Sequence, residues 1–368
     1  MKHFDTVIIG GGIIGCSLAR ALAVAGVAVA VVERGAPGEE ASWAAAGMLS
    51  PSAEAEPGNP LFELGRACLR RFRPLVEELE SETGIGCCYR TEGTLLLFEN
   101  EEDRASWLPS VEWQRSLGIP IQELDASELR ACEPQLADLP GAFYLPDDHQ
   151  VDNRLLVQAL VHSCRRRKVE FILGKTVQEV RRNGHRATGV LLENDCLGAG
   201  RVVNTAGSWA GAVHVAGIAP APIRPVKGQM IALQCSPAPL RHVVRSHRVY
   251  LVPRFDGRML VGSTMEEAGF DKTPRAGPLT RLLHSAQQAC PILQESAVAE
   301  FWAGLRPASP DGFPLLGPTA LEGYSLATGH FRNGILLAPI TAEILSGWLL
   351  NGQPPFPVDF LRPERFGS

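Results

Sequence analysis

Val7-Ile8-Ile9-Gly10-Gly11-Gly12-Ile13-Ile14-Gly15 is the stretch on which the fold turns. A β-rich run over 4–9 meets glycines spaced G-x-G-x-x-G. Ile14, Leu18 and Leu22 then recur every four residues, the stripe of a helix. Residues 27–32 form a second buried-strand run that ends at Glu33. A β-turn-α-β unit therefore opens the chain. In such a unit Gly10 permits the tight turn, Gly12 lets a pyrophosphate approach the backbone, and Gly15 allows close helix–strand packing. The helix N-terminus offers free N–H groups and a positive dipole end to phosphates. Glu33, roughly 20 residues past the glycines, stands where a carboxylate accepts from ribose hydroxyls. These features point to an adenine dinucleotide and leave NAD and FAD both open.

The chain has 368 residues, 45 % hydrophobic and 20 % charged. At roughly 150 residues per domain that is room for two domains, or one with a large insertion. Collagen, coiled coil and general disorder are excluded. A net charge of −5 supplies no basic field for nucleic acid or an anionic membrane. Nine cysteines lie scattered without C-x-x-C spacing, which points to a reducing cytoplasm instead of a disulfide framework or a zinc site. The apolar stretch 6–32 imitates an export signal or membrane span, but three glycines and Arg20 interrupt it, so no span is expected.

Further along, Leu61, Leu64, Cys68, Phe72, Leu75 and Leu79 mark a second amphipathic helix. Residues 93–98 read as a strand, and 107–146 as polar and broken by prolines. A helix capped by Asp152 or Asn153 precedes a strand at 169–173 and a hairpin around Asn183-Gly184. Strands are expected at 201–206 and repeatedly over 223–265, a helix at 280–289, a strand at 324–328, and a closing helix from Pro339 to Leu350. The fold class is therefore α/β with an α+β second domain: a Rossmann-like domain interrupted by an antiparallel-sheet domain.

Several patterns carry no chemistry. Gly174-Lys175-Thr176 resembles the end of a phosphate loop, but Val169 occupies the position of its first glycine. The Arg165–Lys168 run complements a helix C-terminus. His242 and His247 lack metal spacing, and H-E-x-x-H and G-x-S-x-G are absent. His247 and His330 are candidate acids or bases that read more readily as satisfied structural histidines. By composition, Gly329-His330-Phe331-Arg332-Asn333-Gly334 fits a polar surface loop as well as a ligand-facing one.

Beyond the glycine motif stand Ala44-Ala45-Ala46-Gly47-Met48-Leu49, Pro225-Val226-Lys227-Gly228, Tyr250-Leu251-Val252-Pro253-Arg254, Phe301-Trp302-Ala303-Gly304-Leu305-Arg306-Pro307 and 329–339. On these segments the chain resembles the FAD-dependent amine and D-amino acid oxidase family, above all its glycine-oxidising branch of thiamine biosynthesis. The likeness runs over nearly the whole sequence.

The resemblance implies that Arg306 clamps the substrate carboxylate, that the Tyr250 hydroxyl assists it, and that Arg332 reaches substrate near the flavin. It implies that Met48 and Met265 line a small substrate pocket. Positions matching the FAD contacts are Gly10, Gly12, Ile13, Ile14, Gly15, Glu33, Arg34, Ala41, Ser42, Ala46, Gly47, Met48, Val177 and the segment His330, Phe331, Arg332, Asn333, Gly334, Ile335 and Leu336. The N-terminus of the final helix would face the flavin and stabilise negative charge there. The segment before Ser309-Pro310-Asp311 lacks the cysteine that tethers the cofactor in some relatives, so FAD is expected to be non-covalent. Arg248 stands where the family can carry a histidine.

The expected reaction is oxidation of glycine, sarcosine, D-alanine or D-proline, with dioxygen as partner and hydrogen peroxide as product. Two alternatives are a D-amino acid or D-hydroxyproline dehydrogenase passing electrons to a quinone, and a tRNA-modifying FAD oxidase. The expected FAD domain comprises 1–85, 147–217 and 305–368, and the substrate domain 86–146 and 218–304. A cytoplasmic homo-oligomer, such as a tetramer, is implied by the resemblance alone.

Overall fold

The structure is a computed structural model and describes residues 2–367. β1 (His3–Ile9), α1 (Ile13–Val24) and β2 (Val29–Glu33) form the expected opening unit. β1 lies between β2 and the strand Cys196–Asn204, parallel to both. Glu170–Leu173 extends the parallel sheet beyond β2, and Tyr324–Thr328 extends it on the other side. Val7, Ile8, Ala30 and Val31 are completely buried, as strands covered on both faces must be. One cover is a helical layer of α1, Leu61–Thr83, Asn153–Arg166 and Gly334–Asn351. The hairpin Val177–Asn183/Arg186–Leu192 pairs with Cys196–Asn204 and contributes to the core on the other face.

A second eight-stranded sheet runs in the order Ala297–Ala308, Arg224–Gln234, Arg258–Gly262, Tyr250–Pro253, Val243–Arg245, Thr94–Phe98, Gly141–Leu145 and Gln122–Asp125. It is antiparallel except where Val243–Arg245 meets Thr94–Phe98. The α/β class with a largely antiparallel second sheet is thus present.

Some local expectations need correction. The 107–146 stretch is not broken: it holds the end of helix Glu101–Ser116, strand Gln122–Asp125, helix Ala126–Cys132 and strand Gly141–Leu145. The Asn100 side chain accepts the Asp103 N–H, and Asp125 with Glu128 makes a reciprocal capping box. These caps and the burial of Val111 and Gln114 outweigh Pro109 inside the first helix. The closing helix starts at Gly334, so Pro339 lies inside it. Burial of Ile335, Leu336, Leu337 and Ala338 overrides the local proline signal.

Strand Ala297–Ala308 was not expected at all, and it crosses the limit drawn at 304/305. The closing helix is long and apolar enough to cross a bilayer by length and composition. Here its apolar residues belong to the buried core beside α1.

Candidate active site

A cavity of about 310 Å³ opens at the carboxyl ends of β1, β2 and Tyr324–Thr328, between the two sheets. This is where parallel α/β sheets place ligands, because strand ends and helix N-termini converge there. Gly10 adopts a φ of +102°, and a Cβ on it would lie 2.8 Å from the Thr205 carbonyl oxygen. Gly15 stands outside the lining. Its Cβ would lie 2.1 Å from the Gly10 carbonyl oxygen, so it serves the close packing beneath the loop. Glu33 accepts from the Gly11 N–H at 2.7 Å and the Gly35 N–H at 2.9 Å, which fixes its carboxylate at the cavity wall. The Ile13 N–H donates to Ser42 Oγ at 3.0 Å.

Farther from β1, the Arg34 guanidinium lies 3.7 Å over the Trp209 ring and bonds Glu40 at 2.6 Å. Val177 lines the wall with Lys175 and Thr176. The floor is the segment Ala44 to Met48. Gly47, with a φ of +69°, passes so close to the Val151 carbonyl oxygen that a Cβ would come within 2.0 Å. Buried Arg254 donates to the Ala46 and Val151 carbonyls and to Asn153 Oδ1 at 2.9–3.0 Å, making that floor rigid. This long groove fits FAD: glycines clear room for a pyrophosphate at a helix N-terminus, Glu33 suits a ribose, and small side chains floor the remainder.

The substrate end is built by the second sheet. Arg306 sits on Ala297–Ala308 opposite Val226, and its guanidinium lies over Gly228, where a Cβ would come within 2.3 Å of Nη1. Arg306 Nη2 donates to Ser263 Oγ at 2.6 Å and Nη1 to the Thr264 carbonyl at 3.1 Å. Burial, above all, lowers the Arg306 pKa from its ordinary value; Tyr250 opposes the shift and Arg332 adds to it. Among the described residues Arg306 has no carboxylate partner. Tyr250 stands over Gly262, its hydroxyl 3.5 Å from Met230 Sδ. Arg332 bonds Glu54 at 2.6 Å, and Glu54 also pairs with Arg245. Phe331, with a φ of +48° and its N–H on the Pro307 carbonyl, makes the turn that presents Arg332.

His330 is no acid or base. Buried and bonded through Nε2 to Thr341 Oγ1 at 3.0 Å, it has a pKa pushed down to about 3 by burial. It is therefore neutral. Between pH 6.5 and about 3 the unfolded chain binds a proton that the folded chain refuses, so stability rises with pH across that window. The contribution is complete above about pH 6.5 and lost as pH falls, with an upper bound of about 4–5 kcal/mol. A His330→Gln variant is expected to lose less denaturant resistance than the parent between about pH 7 and pH 4. Equal losses would show that His330 does not carry the acid sensitivity. His247 stacks on Trp107 at 4.3 Å, away from the cavity lining.

The structure brings together Gly10, Gly12, Ile13, Ile14, Glu33, Arg34, Ala41, Ser42, Ala46, Gly47, Met48, Val177, Tyr250, Arg306 and residues 330–335. Besides Gly15, which packs beneath the loop, two expected positions lie outside the lining. Met265 is 66 % exposed: Thr264 and Glu266 on either side bond inward to Gln229 and Lys227, which turns the residue between them outward. Leu336 points into the helical core beside Gly65, because the early helix start rotates it off the cavity face. Arg248, at the departure from the family pattern, is exposed and faces Glu99 and Gln288.

Residues not anticipated include Glu54, Lys175, Thr176, Trp209 and Ser263. Lys175-Thr176 follows the strand beside β2, a position at the strand ends that was available as a signal even though the phosphate-loop reading fails. Nothing local marks the other three.

The family profile of the FAD-dependent oxidoreductases matches residues 5–348. Glycine oxidase of Pseudomonas aeruginosa is 35 % identical, covering 95 % of this chain and 95 % of that protein. The bifunctional protein ThiO/ThiG of Synechocystis is 36 % identical over 98 % of this chain, which spans 54 % of that relative. The crystal structure of glycine oxidase from Geobacillus kaustophilus superposes with a TM-score of 0.95 at 30 % identity, covering 99 % of each chain. A groove shaped for a dinucleotide, on a chain whose likeness to these proteins runs from end to end, has one explanation: the chain belongs to the FAD-dependent oxidoreductase family, and FAD is its cofactor.

Proposed function

We propose that the protein oxidises glycine and other small amines, namely sarcosine, D-alanine and D-proline. Each loses two electrons and two protons to become an imine; water converts the open-chain imines to the 2-oxo acid and ammonia or a primary amine, and opens the cyclic imine of D-proline to an amino 2-oxo acid. Dioxygen takes the electrons and protons and leaves as hydrogen peroxide. With glycine, the imine (iminoacetate) would supply the thiazole of thiamine. The observation that carries this reading is Arg306, a half-buried guanidinium facing the cavity with two fixed oxygen partners and, among the described residues, no carboxylate of its own.

A guanidinium fork receives a carboxylate through parallel bonds and stays charged when desolvated. The Tyr250 hydroxyl supports the same carboxylate, and Met48, Met230 and the Tyr250 ring keep the space beside it small. The charges of Arg306 and Arg332 favour the neutral form of the bound amine, the form that can be oxidised. FAD, when bound, supplies the two-electron acceptor and passes the electrons on to dioxygen. The proposed cofactor domain is 1–85, 147–217 and 305–368, with 86–146 and 218–304 holding substrate. Nine free thiols support a reducing cytoplasm as its compartment.

Anaerobic titration with glycine, following the visible flavin band, tests the reading. Bleaching is expected, followed by recovery and stoichiometric peroxide once air is admitted. Bleaching without recovery would replace the oxidase by a dehydrogenase. A yellow protein that glycine leaves unbleached, but D-alanine, D-proline or sarcosine bleaches, would remove glycine as substrate.

A further inference from the structure

Arg306 donates its two bonds to adjacent residues, at Ser263 Oγ and the Thr264 carbonyl. The sheet is irregular here. Met230 pairs with Gly262, the Thr264 N–H reaches the Gln229 carbonyl at 3.3 Å, and Lys227 bridges Glu266. From 230 to 227 the first strand advances by fewer residues than the partner segment does from 262 to 266. This extra residue behaves as a β-bulge does, re-aiming the groups beside it. Ser263 Oγ and the Thr264 carbonyl are the groups it turns toward Arg306.

A bulge needs something to hold it, since its ladder bonds are interrupted. Gln229 is completely buried and bonds the bulged segment at several points. Its N–H donates to Thr264 Oγ1 at 2.9 Å, and its Nε2 donates to Glu266 Oε1 at 2.7 Å. Its Oε1 accepts the Arg275 N–H at 2.6 Å, at the far end of the same loop. The Thr264 hydroxyl donates to Glu266, completing the circuit. Burial raises the Glu266 pKa, but hydrogen bonds from Thr264 and Gln229 outweigh it and hold the carboxyl below its ordinary value. Lys227, also buried, bonds the Thr273 carbonyl at 2.5 Å and adds a second tie to the loop.

We infer that Gln229 and Glu266 are positioning residues: as a hydrogen-bonded pair, Gln229 buried and Glu266 half-exposed, they hold the 263–264 bulge and so aim the Arg306 fork at the substrate carboxylate. Neither residue lines the cavity, and neither bonds Arg306. The inference rests on the reading of Arg306 as the carboxylate clamp and identifies what determines its direction.

The test is binding of a simple carboxylate probe, glycolate, to the FAD-loaded protein, read from the perturbation of the flavin band, alongside glycine kinetics. Gln229→Leu is expected to weaken glycolate and raise KM for glycine about ten-fold, with kcat and FAD content held within about two-fold. Gln229→Glu sets two carboxylates against each other and is expected to weaken glycolate further. Adding Glu266→Lys restores an opposed pair at the 2.7 Å contact and is expected to recover most of the parental affinity.

A properly loaded Gln229→Leu protein with parental glycolate affinity would overturn the inference. So would failure of the double variant to improve on Gln229→Glu. If Gln229→Leu does not fold, the half-exposed partner provides the reading: Glu266→Ala must weaken glycolate without loss of FAD, and parental affinity there refutes the inference. Arg306→Ala, run in parallel, separates the two levels. Unchanged glycolate binding in that variant would refute the carboxylate clamp itself, whereas a loss there with none at Gln229 refutes only the positioning role.

Discussion

Arg306→Ala is expected to raise the glycine concentration needed to bleach the flavin by roughly two to four decades. Removing the partner of a desolvated carboxylate costs about 3–5 kcal/mol, because the charge left behind has lost its water and gained nothing. Other cations at this end of the cavity do not replace it. Arg332 is already paired with Glu54, which it shares with Arg245. Arg306→Lys should recover only part of the loss, since an ammonium cannot bond Ser263 Oγ and the Thr264 carbonyl while presenting a planar fork. FAD content should not change in either variant. Parental bleaching by glycine in Arg306→Ala would mean that the carboxylate is held elsewhere and would remove the central element of the proposed mechanism.

The second large effect is expected at Gly15, in FAD affinity. A methyl group there meets the Gly10 carbonyl oxygen at 2.1 Å and Thr205 Oγ1 at 2.7 Å. The first contact is backbone and cannot rotate away, so α1 must lift from the strand ends. Overpacking of this kind costs about 1–3 kcal/mol. The displacement falls on the turn that approaches the pyrophosphate, so Gly15→Ala should lose FAD affinity by roughly one to two decades. The check is flavin fluorescence released on dilution, compared with the parent. Equal retention would show that the loop tolerates the shift and that the phosphates are held mainly by other groups.

The parts of the fold that were legible in sequence are those whose signal is local. The glycine spacing, the period of Ile14, Leu18 and Leu22, the Asp152 cap and the Asn183-Gly184 hairpin each describe a few consecutive residues, and each element formed where expected. Stretches dominated by prolines were misread. Proline speaks for one backbone bond, while capping and burial sum over a whole helix, as 101–116 and 334–351 show. The site divides in the same way. Arg306, Tyr250 and Arg332 were found because they sit in recognisable segments. Glu54 was not, because its role comes from Arg332, distant in the chain, and Arg245, on another strand.

Met265 gives the sharpest case. The family likeness points it toward the pocket, yet a bulge of one residue turns it into solvent. By itself the sequence determined the opening βαβ unit and the dinucleotide groove, and it singled out the arginine proposed to hold a carboxylate. These depend on glycine sterics and on residue chemistry, which belong to single positions. Only the tertiary structure decided where that cation points and which carboxylate occupies Arg332. Those depend on Gln229, Glu266 and Glu54 meeting partners across the sheet and between separated segments, and a bond between distant residues leaves no trace in the order of either.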